Sequence, residues 1–367
     1  MLKTIHGVIF IFVLIFFVGC SQKTEQIQSS SKIKQGEVVT QIKTQKKGER
    51  YNQVDPKPSY ETLAVVFPSS DIDRYALEAT NTLNAYLLQE SKSFSLETFD
   101  MMVQSKKNII KVFDRVRAKN IKKVILLITK NHVNMLQYIP DLEKFEIVLP
   151  LVNRYEQELN SKLISSNILF GAISYKQQFD KLISYARNYS LVEFYDNSPI
   201  GDTLHKYVKP YRLKYSRMID DNNGRYKKIL KYHKKKIDNS AVILNTPIVK
   251  SSILLSAATA EELEIPIVLS TQLNFTPLLF SLTQVNDRKN LVIASSIGEL
   301  SSDLREFNNL LGNNILYNWV NYSSIVAAEY LLNKNIDMFS ELSIKNNQII
   351  YPVKLYDVKY YSFKEIK

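Results

Sequence analysis

The sequence predicts an α/β protein of parallel strands flanked by helices, and three observations predict it. From residue 63 onward, short apolar runs of strand length alternate with longer stretches of helical period. That alternation passes twice through similar lengths of chain, with no repeat of fixed short period. Hydrophobic residues make up 45% and charged residues 23%, the balance of a globular protein with a sizeable core.

The first element stands apart from that body. Lys3 gives a positive start, residues 8–18 are an unbroken apolar run, and Gly19 places a small residue before Cys20, which is the layout of a secretory signal. A spanning helix needs about 20 apolar residues, and Ser21, Gln22 and Lys23 end the run too soon. The expectation is a signal peptide over 1–19, cut before Cys20. Phe17-Val18-Gly19-Cys20 resembles the lipobox of bacterial lipoproteins, with Phe17 where leucine is usual. The resemblance implies a lipid on the Cys20 thiol, and Ser21 in the next position resembles an outer-membrane sorting signal. Cys20 is the only cysteine in 367 residues, so the exported chain has no disulfide to form. Residues 20–59, rich in Ser, Gln, Lys and Thr, cannot bury enough surface to fold. They predict a disordered tether of about 35 Å root-mean-square span.

In the first series, 63–67 reads as a strand ended by Pro68. Ser70-Asp71-Ile72-Asp73 reads as a capping box for a helix with Ile72, Ala76, Ala79, Leu83 and Leu87 on one face. Strand 94–99 precedes helix 108–118, strand 124–129 precedes a short helix near 133–139, and 145–152 is a further strand. The second series runs from strand 168–173 through helix 176–186, strand 191–195, strand 241–244, helix 248–263, strand 267–270 and a helix near 277–282 to strand 291–295. A helical pair at about 304–311 and 319–332 and a β segment over 349–363 complete the body.

With these elements in this order, residues 60–367 resemble the type I periplasmic solute-binding protein superfamily. LAVVFPSSDIDRYALEATNTLNAYL stands as first strand, serine turn and helix, and KKVILLITKN as the strand of the first-lobe site. FGAISYKQQFDKLISYARNYSLVEFYDNSPIGDTLHKYV, with Gly201 opening a helix, stands as the entry to the second lobe. The resemblance implies a two-lobed fold with three crossovers, near 167, 298 and 340. Lobe one would comprise about 60–167 and 298–338, and lobe two about 168–297 and 339–367.

Catalytic chemistry finds little footing. Residues 60–367 hold five glycines (Gly171, Gly201, Gly224, Gly298, Gly312) and no GxGxxG, GxxxxGK[ST] or GxSxG, so phosphate-cradling loops and a nucleophile elbow are missing. Ser29 and Lys32 match an SxxK pattern by letters alone, inside the expected tether. His132, His205 and His233 are not paired at ligand spacing. The expectation is no enzyme, no cofactor and no metal.

Ligands of open α/β sheets sit beyond the carboxyl ends of the strands. That rule makes Ser69, Ser70, Lys130, Asn131, Asn153, Tyr195, Asp196, Thr246 and Gln272 candidate ligand residues. Hydroxyls, amides and a lysine suit a carboxylate, and Tyr195 could stack on a ligand. Read alone, Ser70 is equally a helix cap and Tyr195 a half-buried strand end. Amino-acid-binding members of the superfamily carry a glycine-containing turn after the strand matching 124–129. Lys130-Asn131-His132 stands there instead and implies a crowded pocket.

Net charge is +12. Export removes nucleic acid as a partner and leaves peptidoglycan carboxylates, lipid phosphates or an acidic protein. The densest positive charge lies in 206–236, where Tyr207, Tyr211, Tyr215, Tyr226 and Tyr232 are interleaved. Its candidate partner-binding residues are Arg225, Lys227, Lys228, Lys231, Lys234, Lys235 and Lys236, and the bland alternative is a solvated helix. The body is similar to the C-terminal domain of outer-membrane lipoprotein activators of penicillin-binding proteins, without their helical-repeat domain. That similarity implies a non-enzymatic envelope lipoprotein, anchored to a membrane by its lipid and binding a protein partner, with regulation of peptidoglycan synthesis as one outcome. A lipoprotein receptor for a small solute such as an amino acid, and a structural accessory of a larger envelope complex, are the alternatives.

Overall fold

The computed structural model describes residues 39–40, 61–90, 94–156, 158–160, 163, 167–220 and 225–367. The signal peptide, Cys20 and, apart from Val39 and Thr40, the expected tether lie outside those residues. In chain order the strands are β1 (Val39–Thr40), β2 (Glu61–Phe67), β3 (Phe94–Asp100), β4 (Lys123–Leu126), β5 (Glu146–Leu149), β6 (Ile168–Phe170), β7 (Ser190–Asp196), β8 (Leu213–Ile219), β9 (Ser240–Asn245), β10 (Ile267–Ser270), β11 (Leu291–Ser295), β12 (Ser343–Lys345), β13 (Gln348–Ile350), β14 (Lys354–Lys359) and β15 (Ser362–Glu365). They form two sheets, ordered β1-β3-β2-β4-β5-β6-β13-β12 and β15-β14-β11-β10-β9-β7-β8. Five consecutive strands in each sheet, β3-β2-β4-β5-β6 and β8-β7-β9-β10-β11, are parallel and wound alike, with the second strand lying outside the first.

Burial explains why these strands read as unbroken apolar runs. Leu63, Ala64, Val65 and Val66 of β2 are all fully buried, because helices cover both faces of a parallel sheet. Each such Val or Leu contributes about 1.5–3 kcal/mol relative to exposure. Helix Trp319–Asn333 is enclosed almost all round and packs on helix Ser69–Gln89. Its one buried acid, Glu329, accepts the Tyr86 hydroxyl at 2.5 Å and the Asn333 amide at 2.8 Å, so it is not left unsatisfied.

Four sequence expectations are corrected in detail. Ile168–Phe170, read as the opening strand of the second series, pairs with β5 in the first sheet, so the chain changes sheet after Phe170. The terminal β segment is likewise divided: β13 joins β6 in the first sheet, while β14 pairs with β11 in the second. Ser70 does not cap its helix. The helix begins at Ser69 after Pro68, with no side-chain cap bond. Its first donors go to the end of β3, Ser69 N–H to Asp100 Oδ1 (3.0 Å) and Ser70 N–H to the Met102 carbonyl (2.9 Å). The stretch expected as a short helix near 133–139 is a 3₁₀ helix, Lys130–Tyr138.

Candidate functional site: the cleft between the lobes and a basic face

The order of each sheet reverses beside its first strand, so the switch points lie between β2 and β4 in lobe one and between β7 and β9 in lobe two. The candidate ligand residues follow those strands, and most are already engaged within the protein. Asn153 is buried and donates its amide to the carbonyls of Ala172 and Ile173 (3.2 and 3.1 Å) while accepting Tyr155 N–H (2.9 Å). It thereby pins the first crossover. Thr246 is buried, its hydroxyl 2.7 Å from that of Ser251, within a network centred on Asn274 Nδ2, which bonds the Thr246 carbonyl, Ser251 and Ser270. The side-chain oxygen of Gln272, Oε1, accepts from the Gln178 amide (2.9 Å) and from Ser296 N–H (3.1 Å).

At the end of β7, Asp196 is buried and paired with Lys250, and it also accepts Ser198 N–H. Burial alone would push its carboxyl up, but the Lys250 and Ser198 bonds outweigh it and hold the group below the usual carboxylate range. Tyr195 stacks on His205, centroids 4.1 Å apart and planes 10° apart. Beneath that stack His205 Nδ1 lies 2.7 Å from the fully buried Glu193, which also accepts Asn245 (2.8 Å) and Ser216 (2.7 Å). Gly201 permits this packing: a Cβ there would stand 2.2 Å from the Asp196 carbonyl oxygen, so helix Pro199–Val208 can approach β7 only through a glycine.

Ser69, Ser70, Lys130 and Asn131 are the candidates left at the lobe-one rim. Ser70 Oγ bonds Asp71 (3.1 Å), Asn131 is exposed, and Lys130 reaches across the cleft, its Nζ 6.0 Å from the Tyr207 ring of lobe two. Tyr207 is the centre of a contact that sequence reasoning missed. Its hydroxyl donates to Glu156 Oε2 at 2.5 Å, and the other Glu156 oxygen accepts Ser174 Oγ at 2.7 Å. Glu156 belongs to the first lobe's loop after β5, whereas Tyr207 lies on helix Pro199–Val208 and Ser174 caps helix Tyr175–Tyr185. A single carboxylate thus clasps the two lobes. Burial, reinforced by the Glu156 charge, pushes the Tyr207 phenol well above its ordinary range and the neighbouring Tyr175 phenol up to about 12. No local signal marks the clasp, because its members are 18 and 51 residues apart in sequence.

The recess beside it, about 270 Å³, is lined by Asn153, Glu156, Ser174, Asp180 and Gln348 among others. A second interlobe contact is apolar: Tyr317, from the loop before helix Trp319–Asn333, packs on Phe275 (5.3 Å) and Phe363 (5.8 Å) of lobe two. Among the described residues no three His, Cys, Asp or Glu side chains are grouped to hold a metal ion.

The basic stretch separates into two kinds of residue. Lys227 pairs with Glu261 (3.3 Å), and Lys234 donates to the Glu261 and Glu262 carbonyls (3.2 and 2.7 Å), tying the helices together. Lys236 lies over the Tyr215 ring (4.9 Å). Arg225, Lys228, Lys231 and Lys235 are exposed, the first three on the wall of a groove of about 640 Å³. Arg217 of β8 completes that groove and was not singled out from the sequence.

No protein-family model and no curated protein matches this sequence. Solved structures do. A Rhodospirillum rubrum protein described as a branched-chain amino acid ABC transporter superposes with TM-score 0.62 at 9% identity, covering 84% of this chain and 100% of its own. A branched-chain amino acid ABC transporter from Thermus thermophilus, with bound valine, gives 0.57 at 14%, covering 83% and 95%. Haemophilus influenzae LpoA gives 0.57 at 9%, covering 86% of this chain but 60% of LpoA. At such identities the likeness is one of architecture, and it agrees with the two mixed, largely parallel sheets joined by three crossovers: the chain has the two-lobed type I periplasmic-binding-protein fold.

Proposed function

We propose that this chain is a non-catalytic envelope lipoprotein, anchored through Cys20, whose working partner is another protein. The observation that carries the reading is the clasp of Glu156 on Tyr207 and Ser174. The strand-end groups that could meet a solute, Asn153, Asp196, Thr246 and Gln272, are committed to internal bonds, and Lys130 lies toward Tyr207. The likeness to LpoA, together with the sequence resemblance to lipoprotein activators of penicillin-binding proteins, supports regulation of peptidoglycan synthesis as the finer form of the proposal. The rival reading, an amino-acid receptor, is supported by the valine-bound neighbour.

One experiment separates the two. Thermal melts of the purified protein against the amino acids and short peptides should show no stabilisation. A true ligand at a hundredfold its Kd would add about 2.7 kcal/mol. Crosslinking in intact cells should recover a defined envelope protein. A reproducible, saturable shift with one solute overturns the proposal.

A further inference from the structure

β8 is the outermost strand of the second sheet: it pairs in parallel with β7, and among the described residues no strand lies on its other side. Its seven residues carry Lys214, Ser216, Arg217 and Met218 in exposed positions, with Arg212 exposed just before it. Beside it runs helix Tyr226–Tyr232, and Arg225, Lys228, Ile229 and Tyr232, at one-turn spacing, face the same groove as Arg217 and Lys231. Among the described residues Arg217, Arg225, Lys228 and Lys231 are in no ion pair, and Tyr232 is 83% exposed. Burial, with Arg217 and Lys236 nearby, holds His233 at the end of the groove below its ordinary value.

We infer that this edge and groove dock an acidic, extended segment of a protein partner, added as a strand along β8 with its carboxylates held by Arg217, Arg225, Lys228 and Lys231. The inference rests on the reading of a protein partner and gives that partner its chemistry. An open strand edge supplies main-chain donors and acceptors to an incoming strand. Cations along an edge bar pairing with another basic strand and, by the same charge, select an acidic one. The groove is concave, about 640 Å³, which a planar lipid surface cannot enter. Ile229 and the Tyr232 ring give side chains of a peptide an apolar surface to rest on, which a phosphate or sulfate chain has no use for.

The test uses the purified protein and two fluorescent ten-residue probes of equal charge, one alternating glutamate with threonine and one alternating glutamate with proline, which lacks every second N–H donor. The Glu–Thr peptide should bind, weaken steeply with salt, and exceed the Glu–Pro peptide by about tenfold or more, since a ladder needs the missing donors. Arg217→Glu with Lys228→Glu should lower Glu–Thr binding by at least about tenfold, with melting unchanged. Lys227 and Lys234 are left alone because they hold Glu261 and Glu262. Equal binding of the two peptides, undiminished binding by the folded double variant, absence of binding, or tighter binding of heparin or anionic vesicles would each overturn the inference. Should the double variant fail to fold, the peptide comparison in the unaltered protein decides alone. Loss of peptide binding with no solute response would leave the protein-partner reading standing, whereas a solute response would remove that reading whatever the peptides do.

Discussion

Replacing Tyr207 by phenylalanine removes one oxygen from the clasp and leaves the ring where it packs. The lost bond, 2.5 Å from hydroxyl to the Glu156 carboxylate, belongs to the class made to a charged group, which contributes about 1.5–3 kcal/mol. Glu156 keeps its bond from Ser174 and is not orphaned, which places the cost near the lower end, about 1.5 kcal/mol. Since about 1.4 kcal/mol is tenfold in an equilibrium constant, the ratio of clasped to unclasped lobes should fall about tenfold. Hydrogen exchange is the direct assay: amides around Arg154–Glu156 and the first turn of helix Tyr175–Tyr185 should exchange about tenfold faster if they open through separation of the lobes. The melting temperature should drop by only about 3 °C in a body of this size. Adding Glu156→Gln should cost less in the variant than in the unaltered protein, because the two residues share one interaction. Unchanged exchange in both segments, or strict additivity of the two substitutions, would refute the clasp as an energetic link between the lobes.

Lys250→Met leaves Asp196 buried without its cation and should cost about 3–5 kcal/mol at neutral pH, the penalty for breaking a buried pair, read by chemical denaturation. In the unaltered protein the Asp196 carboxyl is depressed in the folded state. Its contribution is therefore complete above the unfolded value of about 3.9 and is lost as pH falls through the lower folded value. In the variant the Lys250 bond and charge are gone while burial and the Ser198 bonds remain, so the carboxyl lies higher than in the unaltered protein, acidification should narrow the gap between the two proteins, and a gap that widens toward low pH would contradict the assignment. Cys20→Ala should abolish palmitate labelling and leave the precursor uncut, and labelling that survives the substitution would remove the lipid anchor from the account.

The fold was legible because parallel strands buried on both faces advertise themselves. Leu63–Val66, Val124–Leu126 and Leu291–Ala294 are apolar runs that no exposed element would carry. What escaped were elements whose character is set by position in the sheet. β8 shows no apolar run because it is an edge, with Lys214, Ser216, Arg217 and Met218 open to solvent, so it merged into the surrounding basic stretch. β6 was legible as a strand but not as a member of the first sheet. Ile168–Phe170 would read identically in either, and only its register against Ile147–Leu149 decides. The Ser70 cap failed for a related reason. A capping box satisfies the first helical donors locally, but here Asp100 and Met102, more than 30 residues away, take them.

Most strand-end residues singled out from the sequence are bonded within the protein rather than free, and the difference bears on function. Polar residues at strand ends satisfy two demands that look alike in sequence: binding a ligand, and closing the backbone and side-chain donors that a buried strand end exposes. In lobe two the second demand absorbs them. Asn245, Ser216 and His205 converge on Glu193, and Asn274 gathers Thr246, Ser251 and Ser270. A network of this kind resists rearrangement, since withdrawing one member to meet a ligand would strand a buried partner at about 1–3 kcal/mol. Asn131 at the lobe-one rim and Arg217, Arg225, Lys228 and Lys231 beside β8 are exposed, at surfaces that another macromolecule can reach without opening the lobes. The proposed protein partner would therefore be met on the outer faces of the two lobes, with the Glu156 clasp holding those faces together.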